Sequence, residues 1–349
     1  MSSHTTDSSA AIDELAQFKL RCAQALHTVR GLSDVIPGST PRDALYTQGK
    51  VTLYRYRSGA KASRRPRVLI IYAQVNRPSV LDLEPDRSMI AGLLAHGLDV
   101  YLLDWGYPDR ADRHTTLSDY VLRDIDRAVQ TVGKSAPIHL LGVCQGGTLS
   151  LIYASLEPQR IKKLVTMVTP VDFQTDDNVL SKWVRGVDIK KLVASVGNVP
   201  GAWLNAAFLS LMPFRLTLQK YLTLVDHPDQ QEVLATFLRM EQWIFDSPDQ
   251  AGAAFAEFVT WFYQENRFVN GTLSLAGRAA RLDALRMPIL NIYATEDHLV
   301  PPAASKALGA LVRSERYEEL AVQTGHIGIY VGSRAHTLPP KIAAWLKRL

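Results

Sequence analysis

Cysteine is scarce in this chain of 349 residues: Cys22 and Cys144 are the only two. One bridge between them is the most that could form, and a reducing compartment keeps such thiols free. No Cys/His cluster has zinc-ligand spacing and no His-Glu-x-x-His occurs, so no metal site is expected. Long apolar runs are also missing. Val68 to Ala73 and Pro288 to Ala294 are strand-length, far below the roughly 20 residues a membrane-spanning helix needs. No membrane span is therefore expected. Met1 to Ala11 is polar and rich in Ser and Thr. It lacks the basic-then-apolar layout of a secretory signal, and a cytoplasmic location is the expectation. Neither sign of charge dominates, at a net +5. With no basic helix and no aromatic-basic repeat, nucleic acid is a poor partner. The densest basic run, Lys61 to Arg67 with Lys61, Arg64, Arg65 and Arg67, reads as a solvated loop before a strand. Its other reading is attraction of an anionic substrate.

What is present is ordinary globular composition, 47% hydrophobic and 21% charged. Val51 to Tyr56 reads as a strand, and Val68 to Ala73 as a strand buried on both faces. Asp86 to His96 follows as a helix with Met89, Ile90, Leu93 and Leu94 on one side and Gly97 as its stop. Then come a strand at Asp99 to Trp105, a helix at Leu117 to Val132, a strand at Ile138 to Gly142, a helix at Thr148 to Leu156 and a strand at Lys163 to Val168. Such alternation predicts a mainly parallel sheet with helices on both faces. From Val171 to Arg286 the pattern breaks into helix-like sequence rich in Trp and Phe. Trp183, Trp203, Phe208, Phe214, Trp243, Phe245, Phe255, Phe258, Trp261 and Phe262 all fall there. The sheet pattern resumes at Pro288 to Ala294, with a helix near Ala303 to Leu311, a strand near Tyr317 to Leu320 and a last helix near Ile342 to Leu349. The organisation expected is an N-terminal segment over 1–44, partly flexible, an α/β core over 45–170 and 287–349, and a cap inserted over 171–286. The cap would lie over the carboxyl ends of the strands, where ligands bind. Most of its aromatics would form a separate small core.

The strongest local signal is Gly142-Val143-Cys144-Gln145-Gly146-Gly147, which follows a strand and opens a helix. That is the context of a G-x-S-x-G nucleophile elbow with Cys for Ser, the mark of an α/β-hydrolase fold. The turn is so tight that side chains two before and two after the nucleophile would collide with the neighbouring strand and helix, and Gly142 and Gly146 remove them. The elbow lifts the sulfur above the sheet beside the Gln145 N–H and a helix N-terminus, which favour thiolate and can hold an oxyanion. The bland alternative is a buried structural Cys beside packing glycines.

In this fold the acid and then the histidine follow the nucleophile. Asp297 lies in the turn Thr295-Glu296-Asp297-His298 after the strand Ile289 to Ala294, on the rim the elbow occupies. Glu296 and His298 compete with it, and the Asp-His-x-Val-Pro pattern favours Asp297. Of nine histidines, His4, His27, His96, His114 and His139 precede the elbow. His227 falls in the insertion, His298 adjoins the acid and His336 opens the last helical stretch. His326, in Thr324-Gly325-His326-Ile327-Gly328, has the right order and a glycine-flanked loop. A second oxyanion donor belongs to the loop Gln74-Val75-Asn76-Arg77-Pro78, with the Val75 N–H as candidate.

A thiolate that attacks a thioester exchanges one C–S bond for another, so the acyl group stays activated. Serine would drop it to an oxygen ester. Cysteine therefore suits acyl transfer from a thioester to a hydroxyl, with His326 taking the thiol proton. Asp297 would orient His326 or help it deprotonate the attacking hydroxyl. An aromatic cap would keep water from the acyl enzyme.

With these residues assigned, the chain resembles the catalytic subunit of class III polyhydroxyalkanoate synthases. The likeness runs from about Leu45 onward. It includes Leu53 to Tyr56, Tyr72 to Pro78, Val100 to Asp112, Gly142 to Gly147, Leu164 to Phe173, Phe237 to Gly252, Asp297 to Pro302 and Gly325 to Tyr330. The resemblance implies that Cys144, Asp297 and His326 match the family's catalytic three. It implies a short-chain (R)-3-hydroxyacyl-CoA substrate, chiefly 3-hydroxybutyryl-CoA, and a polyester product held in cytoplasmic granules. The acid would act mainly on the substrate's 3-hydroxyl. It further implies a second synthase subunit of the PhaE type, a homodimer of the catalytic subunit, attachment to the granule surface and no cofactor, the coenzyme A thioester being the substrate. The competing expectations are a cysteine hydrolase of the same fold acting on esters, lactones or thioesters, and a non-catalytic granule protein.

Overall fold

Eight strands form one sheet in the order β1-β2-β6-β3-β7-β8-β11-β12. They are β1 (Arg42–Gln48), β2 (Val51–Tyr56), β3 (Arg67–Ile71), β6 (Asp99–Asp104), β7 (Ile138–Val143), β8 (Ile161–Met167), β11 (Ile289–Ala294) and β12 (Tyr317–Val322). β4 (Asp82–Glu84) and β5 (Arg87–Ser88) make a small hairpin of their own, as do β9 (Ser274–Leu275) and β10 (Arg278–Ala279). In the large sheet β1, β2 and β6 pair antiparallel, and every pair from β6 through β12 is parallel. A computed structural model of the chain describes residues 8–32, 38–58, 65–212, 225–226 and 229–348. Lys61 and Arg64 of the basic run, Phe214, His4 and His227 lie outside the described residues.

The sheet is parallel from β6 to β12 because those strands alternate with helices. It is apolar on both sides because helices cover both. Along β3, Leu69 and Ile71 join the core under α3 (Asp126–Gly133) and α4 (Gln145–Leu156), while Val68 and Ile70 join the core under α2 (Met89–Ala95) and the helix Leu338–Lys347. All four side chains are fully buried, each worth roughly 1.5–3 kcal/mol in transfer from water. This two-residue alternation on a continuously apolar strand marks a central parallel strand.

Most expected elements appear with shifted ends. The helix expected from Asp86 starts at Met89, because Arg87 and Ser88 pair with β4 and the Ser88 hydroxyl caps α2 by accepting from the Ala91 N–H at 2.9 Å. The segment Leu117 to Val132 is a π-helical stretch, Asp119–Ile125, running into α3. The helix expected near Ala303 to Leu311 is two short ones, Pro302–Lys306 and Leu308–Leu311. The last helix begins at Leu338 rather than Ile342, with its prolines in the first turn, where no intrahelical N–H is needed.

Two features were not expected. The N-terminal segment contains a 24-residue helix, α1 (Ser8–Gly31). Its apolar residues make no clear stripe, so the periodicity of a packed helix is missing. It lies against the helix Gln231–Phe245, and Arg21 approaches Asp226 at 3.8 Å. Strand β1 was passed over because it is an edge strand, exposed for most of its length.

Between β8 and β11 the chain leaves the sheet and runs through the helices Val179–Val184, Ile189–Val196, Gly201–Ser210, Gln231–Phe245 and Gly252–Phe258. The aromatics of this stretch do not make a separate small core, contrary to expectation. Phe258 and Phe262 pack with Phe173, and Phe268 packs on Phe262, with ring centroids 4.7–6.0 Å apart along the cluster, all in the core beneath α4. Trp243 belongs to the core on the other face of the sheet. These rings lie instead against the apolar surfaces of the sheet and its helices. Trp183, Trp203 and Phe245 stay 46–66% exposed.

Candidate active site

β7 delivers Cys144 at its carboxyl end, and α4 starts with the next residue. Cys144 has φ 53° and ψ −128°. Such a backbone costs a non-glycine residue about 1–3 kcal/mol and is tolerated only where its surroundings enforce it. Here the Cys144 N–H donates to the Met167 carbonyl at 2.9 Å, and the Cys144 carbonyl accepts from the Gly147 N–H at 2.8 Å. The glycines do what their spacing suggested. A Cβ on Gly146 would lie 2.2 Å from the Ile71 carbonyl oxygen, and one on Gly142 would lie 2.5 Å from the Gly147 Cα. Because α4 begins at Gln145, three residues before the expected Thr148, its positive end lies directly at the sulfur. The Gln145 N–H is one of the first-turn donors that no intrahelical carbonyl reaches.

Asp297 and His326 come from the loops after β11 and β12. Asp297 Oδ2 lies 2.7 Å from His326 Nδ1, and both side chains are almost fully buried. Asp297 Oδ1 accepts the N–H groups of Leu299 at 2.9 Å and Val300 at 2.8 Å, so the loop's own backbone orients the carboxylate. The competitor Glu296 is exposed. His298 lines the cavity described below. The Cys144 sulfur acts electrostatically on the His326 imidazole, and Nε2 is the ring nitrogen that Asp297 leaves facing it. Burial by itself lowers the imidazole's pKa. The Asp297 carboxylate and the Cys144 sulfur outweigh burial by charge and hydrogen bonding, and the imidazole is raised to about 10.

The loop after β3 passes beside the elbow. Its Gln74 N–H donates to Gln145 Oε1 at 2.9 Å, so that N–H is occupied. Val75 lines the cavity, and among the described residues no hydrogen bond takes its N–H. The candidate donors Gln145 and Val75 thus lie on two segments that meet at the sulfur.

Above these residues is a cavity of about 390 Å³, between the carboxyl ends of the strands and the helices of the inserted stretch. Cys144 and His326 are at its floor, and Trp105, Phe208, Phe255 and Phe258 are among its mostly apolar walls. Tyr72, Tyr120 and Tyr263 also line it. Burial first, and then the Cys144 sulfur, push the hydroxyls of Tyr72 and Tyr263 well above their usual range, so both stay neutral donors. Sequence reasoning gave neither a role at the site, nor Asn76, Trp243 and Gln250 of the same wall. Tyr263 lies in a π-helical turn, Val259–Gln264, a distortion frequent at functional sites but with no mark in the sequence. Among the described residues no group of three or more His, Cys, Asp and Glu is arranged to hold a metal ion, and no helix is long and apolar enough to cross a membrane.

Comparison with known proteins agrees with this geometry. A family model described as the α/β hydrolase fold matches residues 66–333. The poly(3-hydroxyalkanoate) polymerase subunit PhaC of Allochromatium vinosum is 49% identical over 339 residues, which are 95% of this chain and 96% of that protein. The protein of the same name from Synechocystis is 44% identical over 348 residues, 96% of this chain and 92% of its own length. Among solved structures, the thioesterase domain from the curacin biosynthetic pathway superposes with a TM-score of 0.53 at 15% identity, covering 89% of this chain and 100% of that domain. At that identity the likeness speaks for the fold alone.

Proposed function

Because the chain belongs to the family of poly(3-hydroxyalkanoate) polymerase PhaC subunits, acyltransferases on the α/β-hydrolase fold, we propose that Cys144 carries the acyl group as a thioester during polymerisation. The observation that carries this reading is the placement of Cys144 and of His326, itself bonded to Asp297, together at the floor of an apolar cavity. His326 Nε2 takes the thiol proton. The thiolate attacks the carbonyl of an (R)-3-hydroxyacyl-CoA, chiefly 3-hydroxybutyryl-CoA. The oxyanion is held by the N–H groups of Gln145 and Val75. Collapse breaks the bond to CoA sulfur, and CoA leaves with the proton from His326. In elongation His326 takes the proton of a 3-hydroxyl, whose oxygen attacks the acyl thioester and forms the ester bond. No oxidation state changes, so no cofactor is required.

Asp297 has both oxygens engaged, one by His326 and the other by two backbone N–H groups. That supports an action through the imidazole in both half-reactions. Water exclusion falls to the inserted stretch, read here as a cap over 171–286 on a core of 45–170 and 287–349. A PhaE-type second subunit, a homodimer and attachment to cytoplasmic polymer granules complete the reading. Family membership supports them, and the exposed Trp183, Trp203 and Phe245 supply apolar contact surface.

The test is incubation with 3-hydroxybutyryl-CoA in the presence of the partner subunit. CoA release with insoluble polyester is the expected result. CoA release with only monomeric acid would make the protein a thioesterase, and no release would make it a non-catalytic member of the family.

A further inference from the structure

We propose that Asn76 and Gln250 are positioning residues that tie the oxyanion loop to the cap, so that the second oxyanion donor is aligned only while the cap is seated. The loop Gln74 to Pro78 is gripped from both sides. On the core side Gln145 Oε1 accepts the Gln74 N–H. On the cap side Gln250 Nε2 donates to the Gln74 carbonyl at 2.9 Å and to the Pro248 carbonyl at 3.1 Å. Asn76 Nδ2 donates to the Ile244 carbonyl at 3.2 Å, and Trp243 Nε1 donates to the Arg77 carbonyl at 2.7 Å. Trp243 and Ile244 close the helix Gln231–Phe245, where last-turn carbonyls lack intrahelical partners and carry the negative end of the helix dipole. An amide N–H₂ is the matching donor.

The Gln74 carbonyl and the Val75 N–H are two ends of one planar trans peptide, with no cis bond in the described chain. They point in opposite directions. A hydrogen bond that fixes the carbonyl therefore fixes the N–H. One residue on, Asn76 has φ 58°, a left-handed conformation that Asn adopts more readily than most L-residues. The side-chain bond to the cap helix holds it there. Gln250 is 6% exposed and belongs to the cap stretch. Lifting the cap breaks the Gln250 and Asn76 bonds together and frees the peptide that carries the donor. Acyl transfer is thereby confined to the water-excluded state.

This inference rests on the acyl-enzyme reading, and the test separates the two. Asn76→Gly keeps the left-handed backbone accessible and deletes the tether. Gln250→Met keeps the size and deletes the donor. Each variant is assayed with its partner subunit for two rates at Cys144. One is alkylation by iodoacetamide, a displacement at a saturated carbon that forms no oxyanion. The other is single-turnover acylation by 3-hydroxybutyryl-CoA. The expected result is alkylation within about two-fold of wild type and acylation down about 10- to 100-fold, somewhat less than deletion of a donor itself, appearing in kcat rather than KM. Loss of both rates in equal measure, or unchanged acylation, would overturn the proposal. Circular dichroism melting checks that each variant folds, and either variant alone suffices. A wild type that is alkylated yet never acylated would instead defeat the function proposed above.

Discussion

His326 Nδ1 and Asp297 Oδ2 are 2.7 Å apart in a site almost closed to solvent. That bond sets the tautomer and orientation of the imidazole facing Cys144 and raises its proton affinity. Asp297→Asn removes the carboxylate that raises the imidazole. A thiol gives up its proton far more readily than an aliphatic hydroxyl, so the loss falls harder on elongation than on first acylation. Single-turnover acylation is expected to drop about ten-fold and polymerisation about 10³-fold, the second loss within the range spanned by general-base catalysis. Equal loss in the two assays would mean that Asp297 serves both steps alike.

The same bond makes stability depend on pH. The folded-state pKa of His326 lies above the ordinary histidine value of about 6.5. Its stabilising contribution is thus fully present below about pH 6.5 and is lost as pH rises through about 10. Asp297→Asn lacks the main raising cause. The melting-temperature gap between wild type and this variant should narrow steadily over that window. A constant gap would show that the pair is not charged at neutral pH.

Cys144→Ala is expected to abolish CoA release, by at least about 10⁴-fold as for other nucleophile deletions. Retained turnover, measured by free-thiol titration of released CoA, would remove the sulfur from the chemistry.

Gly146→Ala forces a methyl to 2.2 Å from the Ile71 carbonyl oxygen. Backbone cannot move there without displacing β3, so a loss of about 1–3 kcal/mol or more is expected in urea unfolding, with the elbow distorted. Wild-type stability in this variant would mean that the elbow has slack.

Glu84 is 7% exposed and binds Arg239 at 2.7 Å, Arg87 at 2.9 Å and the Thr236 hydroxyl at 2.9 Å. It anchors the helix Gln231–Phe245 to the β4–β5 hairpin. Glu84→Gln should cost about 1–3 kcal/mol, the range for hydrogen bonds to charged groups, because both guanidiniums are partly solvated and can recover water. Urea unfolding followed by tryptophan fluorescence measures it.

Elements with a periodic or continuous apolar signal were legible before any coordinates. Val51 to Tyr56 is the strand the alternation indicated, and Met89, Ile90, Leu93 and Leu94 face the core together. Elements whose residues follow no hydrophobic pattern were not legible. α1 lacks an apolar stripe, and β1 is held by an edge pairing that leaves its side chains in water. The π-helical turns at Asp119–Ile125 and Val259–Gln264 arise from packing, so they read as ordinary helix in sequence.

The site divides along the same line. Local sequence determined the elbow, because glycines two residues either side of Cys144 are required wherever a strand turns that sharply into a helix. Chain order narrowed the partners to Asp297 and His326 but left Glu296 and His298 in competition. Only the tertiary structure shows how differently these neighbours are placed. It buries Asp297 against His326 and leaves Glu296 in solvent, a difference of direction between adjacent side chains that residue types do not encode. It alone brings Asn76, Trp243 and Gln250 together across as many as 174 positions of sequence. Contacts of that range form when two packed layers close on each other, and no local propensity foretells them.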